Sequence, residues 1–389
     1  MKAIVLSGGG SKGSYQVGVW KALRQLHIKY DIITGTSVGA LNGALMTQNN
    51  YRKAQKIWKQ INLKVLFGED AIDSNKNIDI YKMYSKHFIK NKGMDVEKLE
   101  SIIAKELDIK KFYRSKINYG LVTYNLSKKQ AEELEKKDIK EDQLVDYLMA
   151  SATCYPAFKK KDIEGLKYID GGYYDNLPIN LAISMGATEI IAVDLRSIGL
   201  KRITKKKVKI TTIKPNNKLT NFLNFYEEGN KRNIKFGYND TMKVFNKLEG
   251  NQYTFKKGTI KKNEILHKDT YEYIIKKILN SKKLTAEFKR LLKITSSNNS
   301  KIMEEFFLQI MERTGKMFDL DETIIYSYKK FNKEIIKRIN ITKNKKNKLV
   351  ALKLLQELKN ENYKELRKAA LIHPIELIKA VYIYTIYEV

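Results

Sequence analysis

The first half of the chain alternates short apolar runs with segments of helical periodicity. Ala3-Ile4-Val5-Leu6 is an uninterrupted apolar run that ends in glycines, the pattern of a buried strand. Residues 14–26 follow with Val17, Val19, Trp20, Leu23 and Leu26 at helical spacing. Ile32-Ile33 predicts a second short strand and residues 40–46 the start of a second helix. Residues 119–124, 168–169 and 189–193 also read as strands, with a helical stretch ending at Met185 before the last of them. Strands alternating with helices predict an α/β layered domain on a mostly parallel sheet.

Residues 51–118 read as a mainly helical insertion, broken by an Asp/Asn/Gly-rich stretch at 68–79, and are placed to cover a site at the strand ends. The character changes after Leu195. Residues 199–218 form a lysine-dense connector. Residues 219–389 carry helical patterns separated by Asn, Lys and Gly clusters, including a charged run at 343–348. The division is therefore 1–198, an α/β domain, then 199–218, a basic linker, then 219–389, a mainly helical region. The last segment, 374–389, is apolar nearly all round a helical projection, which predicts a buried helix more than a membrane-docking one.

Charge sharpens this division. Of 74 Lys and Arg and 43 Asp and Glu, residues 1–200 hold 31 and 23, so most of the net +31 falls in the second half. Such a field attracts anionic membrane or nucleic acid, or is solvent-facing lysine with no partner. Lysine runs without interleaved arginine or aromatic residues argue against nucleic-acid readout. The single cysteine, Cys154, excludes an internal disulfide framework, and four scattered histidines (His27, His87, His267, His373) form no ligand pair, so no metal and no cofactor are expected. The opening apolar run is shorter than the ~7–15 residues of a signal segment, and no run of ~18 apolar residues occurs. The expectation is a cytoplasmic protein, peripheral on the membrane if it meets one.

Three glycine-rich elements fall where strands should end. Gly8-Gly9-Gly10-Ser11-Lys12-Gly13 can gather backbone N–H groups around a phosphate or an oxyanion; it also fits a dinucleotide loop, but not a P-loop. Gly35-Thr36-Ser37-Val38-Gly39 is a GxSxG turn between strand and helix that would project the Ser37 hydroxyl, with the Val38 amide beside it. Asp170-Gly171-Gly172 ends a strand, where a carboxylate suits a general base, although an ordinary Asp-Gly turn has the same sequence. A Rossmann domain would need an acidic residue where Gly35 and Thr36 stand. An α/β-hydrolase would place the elbow later and follow the acid with a histidine.

These blocks, together with Ala150-Ser151, Pro156, Phe158, Asn176-Leu177-Pro178 and Gly186-Ala187, resemble the patatin-like phospholipases in order and spacing over residues 2–198. Pro156 falls one residue later than the usual pattern. The resemblance implies a three-layer α/β/α fold, Ser37 as nucleophile, Asp170 as base and the 8–13 loop as oxyanion hole. The activity it implies is hydrolysis of phospholipid or other acyl-ester lipid. Lys12 would pair with a lipid phosphate or simply face solvent, and Cys154 would pack. A lipid acyltransferase would use the same dyad. A basic protein that binds anionic lipid or nucleic acid on an inert fold is the alternative of a different class.

Overall fold

The computed structural model describes residues 1–67, 82, 84–85, 93–204, 206–278, 300–342 and 350–387. The 68–79 break, His87, Lys205 and the 343–348 run lie outside the described residues. The chain divides into two compact units, Met1–Val244 and Phe245–Val389.

The first unit is built on an eight-stranded sheet. Its strands are β1 (Lys2–Leu6), β2 (Ile32–Thr36), β3 (Asn118–Asn125), β4 (Gln130–Glu135), β5 (Lys161–Ile163), β6 (Leu166–Asp170), β7 (Glu189–Val193) and β8 (Lys209–Ile213). They run in the order β5-β6-β3-β2-β1-β7-β8, and β4 also pairs with β3. Strands β3, β2, β1, β7 and β8 are parallel, while β4, β5 and β6 are antiparallel additions. The central position of β1 explains its unbroken apolar run, because both of its faces are covered. On one face Ala3, Val5 and Ile32 pack with Leu181, Ala182 and Met185 from the helix Ile179–Ser184 and its end. On the other, helix α2 (Val38–Thr47) presses Gly43 against Ile33 and Tyr119. The result is the expected α/β/α layering on a mostly parallel sheet.

The composition change near residue 200 and the end of the first unit do not coincide. Within the lysine-dense 199–218 stretch, β8 adds a parallel edge strand to β7. Its β-branched Ile and Thr residues suit a strand, and with only Ile213 buried it lies at the water-facing edge of the sheet. The helix Glu227–Val244 then lies on α1 (Ser14–Gln25) at backbone distance. A Cβ at Gly18 would collide with the Ile234 carbonyl, and one at Gly237 with the Tyr15 carbonyl. Tyr15 adds a hydrogen bond from its hydroxyl to Asp240 at 3.0 Å.

The second unit is mainly helical, with a small three-stranded sheet of β9 (Leu248–Glu249), β10 (Thr254–Lys256) and β11 (Ile325–Tyr326). Its core gathers around the helix Pro374–Tyr387, which is buried as its all-round apolar pattern predicts. On that helix the buried Tyr382 hydroxyl bonds Asn263 at 3.1 Å and Asn332 at 3.0 Å, so its own burial leaves no orphan donor.

Candidate active site

Strand pairing brings two sequence-distant motifs together. On β3, Val122 faces Thr36 of β2 and the next residue, Thr123, faces Asp170 of β6. The antiparallel strand β6 therefore continues where β2 stops, and its last residue arrives beside Ser37. Ser37 and Asp170 line the same cavity, and the Ser37 hydroxyl lies near enough to the Asp170 carboxylate to lower its pKa.

Ser37 occupies a sharp turn with φ 58° and ψ −131°, a conformation that costs a non-glycine residue on the order of 1–3 kcal/mol. The turn can be this tight because its neighbours have no side chain. A Cβ at Gly35 would lie 2.4 Å from the Gly39 carbonyl oxygen, and one at Gly39 2.3 Å from that of Leu6. The Ser37 amide donates to the Ser151 hydroxyl at 2.9 Å, and the Thr36 hydroxyl donates to the Asp175 carbonyl at 2.7 Å. Val38 opens α2 and lines the same cavity as Ser37.

The glycine loop lies against this turn. A Cβ at Gly8 would be 3.0 Å from that of Ser37. The Gly8 amide is already committed, donating to the Asn176 carbonyl at 3.1 Å. The amides of Gly9 and Gly10 have no protein acceptor among the described residues, and both residues line the cavity with Ser37. Gly10, at φ 54°, approaches the Phe222 carbonyl so closely that a Cβ would lie 2.1 Å from its oxygen. Ser11 is buried and ties the loop to residues 220–222, its amide donating to the Phe222 carbonyl and its hydroxyl to that of Asn221. Gly13 faces Val38 and Trp58. Lys12 donates to the Arg196 carbonyl at 3.4 Å, and burial lowers its pKa against the opposing pull of Asp194.

Asp170 is buried. Loss of hydration raises its pKa to about 6, opposed by the nearby Ser37 hydroxyl and by the hydrogen bond from the Gly172 amide at 2.7 Å. Gly171 lets this turn lie on β3, since a Cβ there would meet the Val122 carbonyl. The cavity holding both side chains measures about 510 Å³ and is predominantly apolar. Trp58, Ile61 and Leu66 from one part of the 51–118 insertion, and Leu99, Ile102 and Ile103 from another, form part of its wall. Trp58 is thus both a core residue, donating to Asn42 at 2.8 Å, and a wall residue.

Residues 4–183 match the family model described as patatin-like phospholipase. Patatin-like phospholipase domain-containing protein 7 of Rattus norvegicus is 31% identical over 205 residues, which cover 50% of this chain and 14% of that protein. Lysophospholipase nte1 of Aspergillus terreus is 30% identical over 200 residues, covering 50% and 12%. Residues 4–183 are a patatin-like phospholipase domain. The chain therefore spans about one-seventh of the length of these curated relatives at most. VipD from Legionella pneumophila is similar in structure at 15% identity, with a TM-score of 0.43, covering 99% of this chain and 91% of that one.

Within the patatin-like domain, some residues with clear positions carry no advance sign of their use. The Ser151 hydroxyl holds the Ser37 amide and donates to the Val122 carbonyl at 2.7 Å. Asn176 takes the Gly8 amide on its carbonyl, and its side chain packs against Gly8 and Gly172. Their membership of the Ala150-Ser151 and Asn176-Leu177-Pro178 blocks is the one signal available. Cys154 lines the cavity, but burial, with the Asp170 charge adding to it, pushes its thiol up to about 12, so it stays protonated and packs. No described histidine lines the cavity. His267 is buried in the second unit against Tyr328.

Proposed function

We propose that the chain cleaves lipid acyl esters through an acyl-enzyme on Ser37, with Asp170 as general base. The convergence of these two side chains in one apolar cavity is the observation that carries the reading. Asp170 takes the hydroxyl proton as Ser37 attacks the ester carbonyl. The Gly9, Gly10 and Val38 amides stabilise the oxyanion that develops. Asp170 then protonates the departing alcohol or lysolipid, and in the second half-reaction it deprotonates the water that releases the fatty acid.

A carboxylate of ordinary pKa ~3.9 is a weak base for a hydroxyl. Burial that lifts it to about 6 brings it near the working pH, where general-base catalysis is most effective. The apolar wall offers an acyl chain a dry site and limits competing hydration of the carboxylate. Good leaving groups suit a dyad without a histidine, which favours esters over amides.

The names of the matched relatives, phospholipase and lysophospholipase, support a lipid substrate. Incubation with mixed glycerophospholipids and lysophospholipids, followed by mass analysis of the acids released, tests the reading directly. Release by the wild-type chain and none by Ser37→Ala supports it; equal release by both sinks it.

A further inference from the structure

Beside the cavity the chain leaves three large aliphatic side chains in water. Ile198, Leu200 and Ile203 are 89%, 62% and 91% exposed. Single exposed aliphatics are ordinary, but three within one short loop form a patch with a purpose to be found.

The loop is pinned to the site. The Leu200 amide donates to the Gly172 carbonyl at 3.0 Å, and the Leu200 carbonyl accepts from the Asn176 amide. Gly199 makes this approach possible: it has φ 140°, and a Cβ there would lie 2.7 Å from that of Asn176. The segment is thus fixed to the turn that carries Asp170. Ile198, Leu200 and the half-exposed Tyr173 all line the cavity that holds Ser37.

Charge surrounds the aliphatic residues. Residues 194–209 contain seven Lys and Arg against one acidic residue, Asp194. Lys201 pairs with Asp194 at 2.7 Å, and the Arg202 guanidinium lies over the Tyr174 ring. Arg196, Lys206 and Lys207 are exposed. Apolar side chains flanked by cations match a surface that is anionic outside and hydrocarbon beneath. A protein partner would have to supply both layers by sequence.

We propose that the loop 196–204, with the adjoining Lys206 and Lys207, anchors the cavity mouth on an anionic lipid surface. Ile198, Leu200 and Ile203 enter the lipid, while Arg196, Lys206 and Lys207 meet the headgroup phosphates. Substrate then passes from the surface into the cavity without crossing water. This inference deepens the lipid-ester reading and rests on it for its purpose, but its test needs no turnover.

The full chain is sedimented with vesicles of mixed phosphatidylglycerol and phosphatidylcholine, and with phosphatidylcholine alone. Binding is expected to the anionic vesicles, weakening as salt rises. Ile203→Asp, and separately the pair Lys206→Glu with Lys207→Glu, should each lower partitioning about tenfold or more. None of these three residues lines the cavity, so hydrolysis of a soluble short-chain ester should be unchanged. Ile203→Trp should add emission that shifts to the blue on anionic vesicles and is quenched by brominated acyl chains. Ser37→Ala should bind vesicles as the wild type does, so a chain that binds without turnover counts against the esterase reading and not against the anchor. Undiminished partitioning of Ile203→Asp, equal binding to neutral vesicles, or a concentration-dependent self-association abolished by Ile203→Asp would overturn the anchor.

Discussion

The Ser37 amide and the Ser151 hydroxyl are joined by a 2.9 Å hydrogen bond, and the same hydroxyl donates to the Val122 carbonyl at 2.7 Å. One buried oxygen therefore ties the turn that carries Ser37 to strand β3. Ser151→Ala leaves a buried amide and carbonyl unpaired near a strained residue, at a cost of roughly 1–3 kcal/mol. We expect kcat on a soluble ester to fall about tenfold or more with a smaller change in KM, together with slower fluorophosphonate labelling and a lower Tm. Unchanged kcat in a folded Ser151→Ala chain would show that the turn holds its shape without this bond.

Ser37 trades backbone strain for position. Ser37→Ala should fold and lose about three orders of magnitude or more of esterase rate, and a fluorophosphonate should label the wild type at Ser37 alone. Ser37→Gly should be equally inactive yet more stable than Ser37→Ala by about 1 kcal/mol, because glycine adopts φ 58° without a Cβ penalty. Thermal unfolding of the two inactive variants measures the difference.

The raised pKa of Asp170 sets both an activity limb and a stability term. As a base it must be ionised, so kcat/KM should rise with pH through about 6. Its folded pKa lies above the unfolded value of ~3.9, so the native state binds the proton more tightly. That contribution to stability is present below about pH 4 and is lost as the pH rises through about 6. Asp170→Asn, which carries no charge at any pH, should thus gain in Tm relative to wild type at pH 8 compared with pH 4. The variant should also lose most acylation. A near-normal acylation rate in folded Asp170→Asn would remove it from the mechanism.

Ile102, on the helix Glu97–Glu106, forms part of the cavity wall without being fully buried, so it can be enlarged with little damage to the core. Ile102→Trp should reduce kcat/KM for long-chain nitrophenyl esters several-fold while sparing the acetate ester. Equal loss on both would place the acyl chain elsewhere.

Histidine chemistry is absent from the proposed mechanism, and the buried His267 shows a different consequence of its burial. Burial lowers its pKa to about 4, and its Nδ1 has no partner among the described residues. The unfolded chain, with a histidine pKa of ~6.5, takes up the proton first, so the second unit loses stability as the pH falls from about 6.5 toward 4. His267→Gln should blunt that acid sensitivity, read by unfolding at pH 5 and pH 7.5, and leave ester turnover intact. A turnover loss at His267 comparable to that of Ser37→Ala would restore a histidine to the reaction.

Much of the patatin-like domain is legible along the chain because its elements are local. A short unbroken apolar run bounded by glycines reads as a covered strand, as β1 is, and an apolar helix pattern on all sides needs burial, as residues 374–387 show. The three glycine-rich turns are likewise marked by composition, since each needs a backbone that no side chain permits. Pairings between distant segments leave no such mark. That Asp170 lies beside Ser37 follows from β6 joining β3 one residue beyond the end of β2, a register set by three strands at once. The edge strand β8 sits within a lysine-rich stretch, and its place beside β7 is set by the sheet and not by that charge pattern. The Ser151 hydroxyl and the exposed aliphatic loop become meaningful only through neighbours contributed by other segments. Local backbone demands are written in residue type, whereas the electrostatic and solvent environment of a side chain exists only once the chain has closed around it.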